Sequence, residues 1–447
     1  MSGGVTRRAF LASAAVAGAA TGAGGTFVFA RAADTPAVLG GPPVRTAPFP
    51  GWPVADDLDA RALADVLQSG RWNRGRCVDA FERDYAALTG ATHCLAVANG
   101  TSALLTALAA LGIGPGDEVI VPPYTFVATV NAVLLRHALP VFVDTDPETF
   151  QIDASRVAQA ITPRTRAIVP VHVGGSPADL DTILAAASGR QIPVIEDACQ
   201  AHLAEWRGRK VGSVGTCGAF SFQASKNLNA GEGGALLTSD ETLFERAYAF
   251  HNNGGRRSRR PEQAPHGHAG ANLRLTEFQA AILSSQMTRL EEQQARRDAN
   301  AAYLAAQLAA VDGLRPAALY PGVTRSAYHL FMMRYDAARF GGLPRARFLE
   351  ALRAEGVPAS GGYAPLTRDP DVVATLASPS FTRIYGKKAL ADRAARSACP
   401  VNDRLCDEAV WLTQTMLLGT RQDMDDIVAA VRKVQAHGAR LAQHGSA

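Results

Sequence analysis

From residue 94 onward the chain repeats one pattern: a short unbroken apolar run, a turn rich in glycine, proline or hydroxyl residues, then a longer stretch with apolar positions at helical spacing. The short runs cover residues 94–98, 118–121, 140–144, 167–171 and 193–196. Their length and continuous hydrophobicity suit strands buried on both faces. Between them, VATVNAVLLRH, DASRVAQAI and ADLDTILAAA read as helices. Strands and helices alternating in this way predict an α/β fold with a largely parallel sheet covered on both sides. In such sheets ligands bind beyond the carboxyl ends of the strands, so the residues just after each run are the ones to inspect.

The flanking pattern extends this picture. DAFERDYAAL (79–88) reads as a helix before the first strand, and residues 241–251 as another; 252–270 reads as a loop, and a long helix runs from about 277 to 308. Pro and Gly near 313–321 mark a domain boundary. Beyond it come a strand at 329–335, a helix at 345–355, a loop bearing Tyr363, and two final helices around 407–416 and 423–443. The expected division is a leader (1–32), an N-terminal segment with the large domain (33–312), and a small C-terminal α/β domain (313–447).

The positions after the strands are Thr101, Ser102, Phe126, His172, Asp197, Gln200, Ser221 and Lys226. A strand, the glycine turn Asn99-Gly100-Thr101-Ser102 and a helix start form an anion site suited to phosphate. Plain helix capping by Thr101 or Ser102 would use the same residues. Asp197 closes PVIED, where a carboxylate is costly unless something cationic, such as a protonated heterocyclic nitrogen, meets it; an N-cap is the structural alternative. Phe126 alone also suits a core, and His172 alone a hydrogen-bonded loop. Lys226 lies at the centre of GAFSFQASKNLNAGEGGALLT (218–238), after two aromatics and before glycines that admit close backbone approach. An amine held there loses hydration, its pKa falls, and it becomes able to form a Schiff base and to act as a base. The plainer reading is a solvated surface lysine.

Composition narrows the classes. With 47% hydrophobic and 19% charged residues in 447, the chain reads as globular. Of its net charge of +4, Arg7, Arg8 and Arg31 account for three, so no nucleic acid is expected as a partner. The cluster Arg256, Arg257, Arg259 and Arg260 reads as a solvated loop. Six cysteines without C-x-x-C spacing read as reduced thiols, and no metal is expected. Thr6-Arg7-Arg8-Ala9-Phe10-Leu11 opens an Ala/Gly-rich apolar stretch that ends in Ala30-Arg31-Ala32. This resembles a twin-arginine export signal, which carries folded proteins. Periplasmic or extracellular location is expected, with a cytoplasmic enzyme bearing an inert leader as the alternative; the stretch is too weakly hydrophobic for a stable membrane span.

NGTSAL, GDEVIVPPYTFVAT, PVFVDTDPETF, IVPVHVGGSPADL, VIEDACQAH, FSFQASKNL, AGEGGALLT and NLRLTEFQAAIL, in that order, resemble the DegT/DnrJ/EryC1/StrS family of pyridoxal-phosphate-dependent sugar and cyclitol aminotransferases. The resemblance implies a type I, aspartate-aminotransferase-like fold and a homodimer with shared active sites. It implies that Lys226 is the Schiff-base lysine and later the general base, that Asp197 holds the pyridine nitrogen protonated, that Phe126 stacks on the ring, and that Gln200 faces the phenolic oxygen. Thr101, Ser102 and Ser221 would hold the phosphate with Asn272 of the partner subunit. Tyr124, His172, Arg274 and His329 are candidates for substrate contact, with Tyr328 and Tyr363 on specificity loops. The implied reaction moves an amino group from L-glutamate or L-glutamine to a keto sugar or keto cyclitol, with ping-pong kinetics. Two alternatives stand beside it: a pyridoxal-phosphate-dependent dehydratase, epimerase or decarboxylase, and a non-catalytic sensor that binds cofactor and ligand. Lysine at 226, where the dehydrating branch carries histidine, speaks against the former.

Overall fold

The computed structural model describes residues 34–256 and 269–444. The leader and Arg257, Arg259 and Arg260 lie outside the described residues.

The expected strands form one layer: β1 (His93–Val97), β2 (Glu118–Val121), β3 (Leu139–Phe142), β4 (Thr165–Ile168) and β5 (Ile195–Asp197), joined by β6 (Cys217–Ser221) and β7 (Gly234–Thr238). β2 pairs in parallel with β3 and β4, and β5 with β6. Parallel bridges at Ile168–Val194 and Val171–Asp197 tie β4 to β5, and β7 runs antiparallel between β6 and β1. The order is therefore β3-β2-β4-β5-β6-β7-β1, mixed but mostly parallel.

Alternation along each strand feeds two cores. Leu95 and Val97 of β1, Val119 and Val121 of β2 and Leu236 of β7 pack on one face with Leu104 and Leu108. Cys94 and Ala96, Phe220, and Ala235 and Leu237 turn to the other face, against Phe81, Tyr85 and Leu283. This period-2 division is what makes strands buried on both sides read as unbroken apolar runs.

Several expectations shift. β7 falls among the glycines after Lys226, where no strand was expected: a Cβ on Gly234 would sit 2.4 Å from the Asn99 backbone, so the strand opens with glycine, which masks it in the sequence. DASRVAQAI is a short 3-10 turn followed by a single helical turn, Val157–Ala160. The helix expected around 407–416 is in fact two elements, the end of helix Pro400–Glu408 and strand Ala409–Thr413. That strand is an inner member of a second, antiparallel sheet, ordered Leu314–Pro316, Leu330–Tyr335, Ala409–Thr413, Ser360–Gly361. Val410 and Leu412 bury in one core and Trp411 in another on the opposite face, and this two-sided burial favours a strand over helix.

The domain division also differs from the linear one. Val38, Leu39, Val44 and Phe49 pack on the C-terminal core, so the segment before residue 50 belongs spatially with the small domain. Conversely, Leu366, Val372, Leu376, Phe381 and Cys399 return to the core of the large sheet. Helix Glu277–Ala309 joins the two, with Leu283 and Leu290 in one core and Leu304 and Leu308 in the other.

Glu355 holds the N-terminal segment. It is fully buried, accepts from the amides of Ala37 (2.7 Å) and Val44 (2.9 Å), and pairs with Lys433 at 3.0 Å. Removing one member of such a buried set costs several kcal/mol because its partners stay desolvated. Glu355→Gln is expected to lower unfolding stability by roughly 3 kcal/mol, read as a shifted urea midpoint, with earlier proteolysis before residue 50. An unchanged midpoint would show that the segment is not anchored there.

Candidate active site

The carboxyl ends of β1, β5 and β6 open into a cavity of about 570 Å³, closed on its other side by the small domain. The helix Gly100–Ala110 points its N-terminus into it. Its cap is Asn99, whose side chain accepts from Ser102 N at 2.8 Å, rather than Thr101 or Ser102. Thr101 lines the cavity; Ser102 is buried and does not. A Cβ on Gly100 would lie 2.8 Å from both Cys199 Sγ and Ser221 Cβ, so only glycine brings these free amides beside Ser221. The result is a cradle of backbone N–H groups, the positive end of a helix and two hydroxyls, Thr101 and Ser221, on the wall.

Asp197, at the end of β5, is 4% exposed, and its two oxygens are both engaged. Thr129 Oγ1 donates to Oδ2 at 2.8 Å, and Cys199 N donates to Oδ1 at 3.3 Å. Since Thr129 spends its proton on Asp197, Thr125 Oγ1 must donate to Thr129 across their 2.8 Å contact. Thr125 and Thr129 escaped the sequence reading. Both follow β2 closely, Thr125 on the connecting loop and Thr129 in the first turn of helix Ala128–Leu135, so hydroxyls just beyond a strand end are a usable signal.

Lys226 follows β6 and lines the same cavity. Burial pushes its amine below the ordinary lysine value, against the opposing pull of Cys199 and Asp197. Phe126 offers its ring to the cavity with 59% of its surface exposed. Gln200 is locked: Gly174 N can only donate, so Oε1 is the atom that accepts from it at 2.7 Å, and Nε2 donates to Tyr363 Oη at 2.8 Å. His329 is also on the wall. Asn227 Nδ2 donates to Ala327 O, so its oxygen faces His329 Nδ1, which therefore carries the proton and leaves Nε2 as an acceptor. Burial, with Lys226 nearby, keeps this imidazole neutral.

Three substrate candidates do not line the cavity of the single chain. His172 is fully buried away from the cavity; Nδ1 accepts from Ala178 N, which leaves the Nε2 proton to Glu196 at 3.0 Å. Its role is structural, since its own backbone N donates to Asp197 O. Tyr124 is likewise fully buried, behind the wall, against Phe150, Tyr363 and Trp411. Arg274 does not line the cavity and donates to Asn252 Oδ1 at 2.8 Å. Tyr328 packs on the C-terminal core, and Asn272 is exposed, away from this chain's own cavity. Trp411 and Cys199, both on the wall, were missed. All six cysteines are free.

A mostly parallel sheet with a small C-terminal domain, and a lysine and an aspartate meeting at its strand ends, define a type I, aspartate-aminotransferase-like enzyme. Known proteins agree. The sequence profile of the DegT/DnrJ/EryC1/StrS aminotransferase family matches residues 53–432. The L-glutamine:2-deoxy-scyllo-inosose aminotransferase of Streptoalloteichus tenebrarius is 41% identical over 423 residues, covering 91% of this chain and 98% of that protein. The 3-amino-5-hydroxybenzoate synthase of Amycolatopsis mediterranei is 38% identical, covering 85% of this chain and 96% of that one. A crystal structure of 3-amino-5-hydroxybenzoic acid synthase superposes with a TM-score of 0.76 at 35% identity, over 89% of this chain and 100% of that chain. NtdA of Bacillus subtilis, solved with bound cofactor PMP, has a TM-score of 0.74 at 25% identity, over 88% of this chain and 86% of its own. The chain belongs to the DegT/DnrJ/EryC1/StrS aminotransferase family and is an aminotransferase.

The family implies pyridoxal phosphate, and the residues present fit it: an anion cradle that a Cβ at 100 would fill, a buried carboxylate for a ring nitrogen, and an amine made nucleophilic by burial. The depressed lysine gives a direct check. In cofactor-free protein, the pH midpoint for labelling of Lys226 by an amine-reactive reagent is expected to lie below that of the lysine side chain in a short model peptide. Peptide mass spectrometry reads this, and equal midpoints would contradict the assignment.

Proposed function

We propose that this enzyme moves the α-amino group of L-glutamine to a keto cyclitol, using pyridoxal phosphate held on Lys226. The observation that carries the reading is the 41% identity to an L-glutamine:2-deoxy-scyllo-inosose aminotransferase across nearly the whole of both chains, together with the Lys226–Asp197 cavity.

When bound, the cofactor supplies an electron sink for the donor's Cα and a carrier for the amino group. The protein's work is binding, orientation and proton transfer. Thr101, Ser221 and the amides that open helix Gly100–Ala110 would take the phosphate. Asp197, held by Thr129 and Cys199, would keep the ring nitrogen protonated, and Phe126 would cover the ring. Gln200 has one Nε2 hydrogen left after Tyr363, available for the phenolic oxygen. Lys226 would hold the aldehyde carbon. As general base, the neutral form of Lys226 would take the proton from the donor's Cα, and burial makes that form available at a lower pH than for a fully hydrated lysine. Neutral His329 and the aromatic wall leave the cavity suited to an uncharged acceptor.

A homodimer, in which Asn272 would reach the phosphate site of the other copy, is part of the proposal; Phe126 and Asn272 are both exposed in the single chain. Among the described residues no helix is long and apolar enough to cross a membrane. Export through the twin-arginine leader remains part of the proposal.

With L-glutamine labelled with ¹⁵N at the α-amino group and 2-deoxy-scyllo-inosose, the label is expected in the aminocyclitol and the keto acid of glutamine should accumulate. Lys226→Ala should lose at least ~10³-fold in turnover. An unlabelled cyclitol, or a Lys226→Ala enzyme of undiminished rate, would refute the reading. For export, the full-length chain should fractionate outside the cytoplasm, and the Arg7→Lys/Arg8→Lys variant should stay inside; equal distribution of the two would exclude the signal.

A further inference from the structure

We propose that Tyr363 recognises a ring hydroxyl of the acceptor by donating its phenolic proton to it. The assignment rests on the keto-cyclitol reading and adds the residue that selects for it.

The loop after the strand Ser360–Gly361 brings Tyr363 from the small domain onto the cavity wall. Its ring is fixed on two sides. It meets Tyr124 at 5.4 Å and 71° and Trp411 at 4.7 Å and 82°, both edge-to-face. The loop is pressed so closely on Tyr124 that a Cβ at Gly362 would lie 2.1 Å from Tyr124 Oη. Tyr124, fully buried, thus acts as the pad that sets Tyr363.

Hydrogen accounting gives the rest. Gly174 fixes Gln200 Oε1, so at the 2.8 Å contact Gln200 Nε2 donates and Tyr363 Oη accepts. The phenol's own proton is then left for a ligand. Burial raises this phenol, so it stays protonated and works as a donor across the working pH range. The wall around it carries the aromatic faces of Tyr363 and Trp411 and no arginine among the described lining residues. A neutral ring bearing hydroxyls calls for a neutral donor beside apolar faces. The contact therefore serves the acceptor rather than the amino donor.

The test is Tyr363→Phe in the full holoenzyme, which keeps the ring and its packing and removes only the hydroxyl. The KM for 2-deoxy-scyllo-inosose is expected to rise about tenfold, the effect of losing one hydrogen bond in a desolvated site, while the half-reaction with L-glutamine stays within about twofold of wild type. An unchanged KM overturns the proposal. So does an equal loss in the glutamine half-reaction, which would mean that Tyr363 acts on the cofactor through Gln200. A wild-type enzyme that reacts with glutamine yet leaves 2-deoxy-scyllo-inosose untouched overturns the cyclitol reading itself, and this assignment with it.

Discussion

The structure depends on a buried carboxylate with both oxygens already spoken for. Asp197 sits at the end of an interior strand, its oxygens held by Thr129 and by the amide of Cys199. A carboxylate at 4% exposure is costly to bury unless its oxygens are hydrogen-bonded. Here two donors fix its direction and leave its charge to act on the cavity it shares with Lys226. The amine in that cavity is pushed toward neutrality by burial, more strongly than Asp197 and Cys199 pull it back. A fixed anion at one end and a nucleophilic amine on the same wall are what a pyridoxal enzyme requires of its protein.

Much of the fold keeps those two groups in place. Parallel pairing of β5 with β6 sets the aspartate and the lysine segment side by side, since both strands end at the same edge. His172 and Glu196 brace that edge from behind: the imidazole donates to a glutamate that also accepts from the amides of Gly212, Val214 and Gly215. Gly100 lets the helix N-terminus close over Ser221. The small domain completes the enclosure with His329, Tyr363 and Trp411, and Gln200 spans the two domains through its bond to Tyr363.

The large domain was legible because its strands are buried on both faces and so appear as unbroken apolar runs, with turn residues that carry chemistry immediately after them. Asp197, Gln200, Ser221, Thr101, Phe126 and Lys226 all followed from that rule, and all line one cavity. The rule failed where position after a strand says nothing about direction. His172, after a strand, points into a glutamate behind the sheet, whereas His329, which just precedes a strand and was named only by the family resemblance, reaches the wall. Trp411 was hidden because its strand, flanked by helix Pro400–Glu408, had been read as helical. The attachment of the N-terminal segment to Glu355 joins residues more than three hundred positions apart, which no local pattern reports.

The most direct test of the central claim is to reduce the purified, pyridoxal-phosphate-loaded enzyme with borohydride and map the modified peptide by mass spectrometry. The account predicts a phosphopyridoxyl group on Lys226. Modification at a different lysine, or a stable loaded protein with no modified lysine, would contradict it.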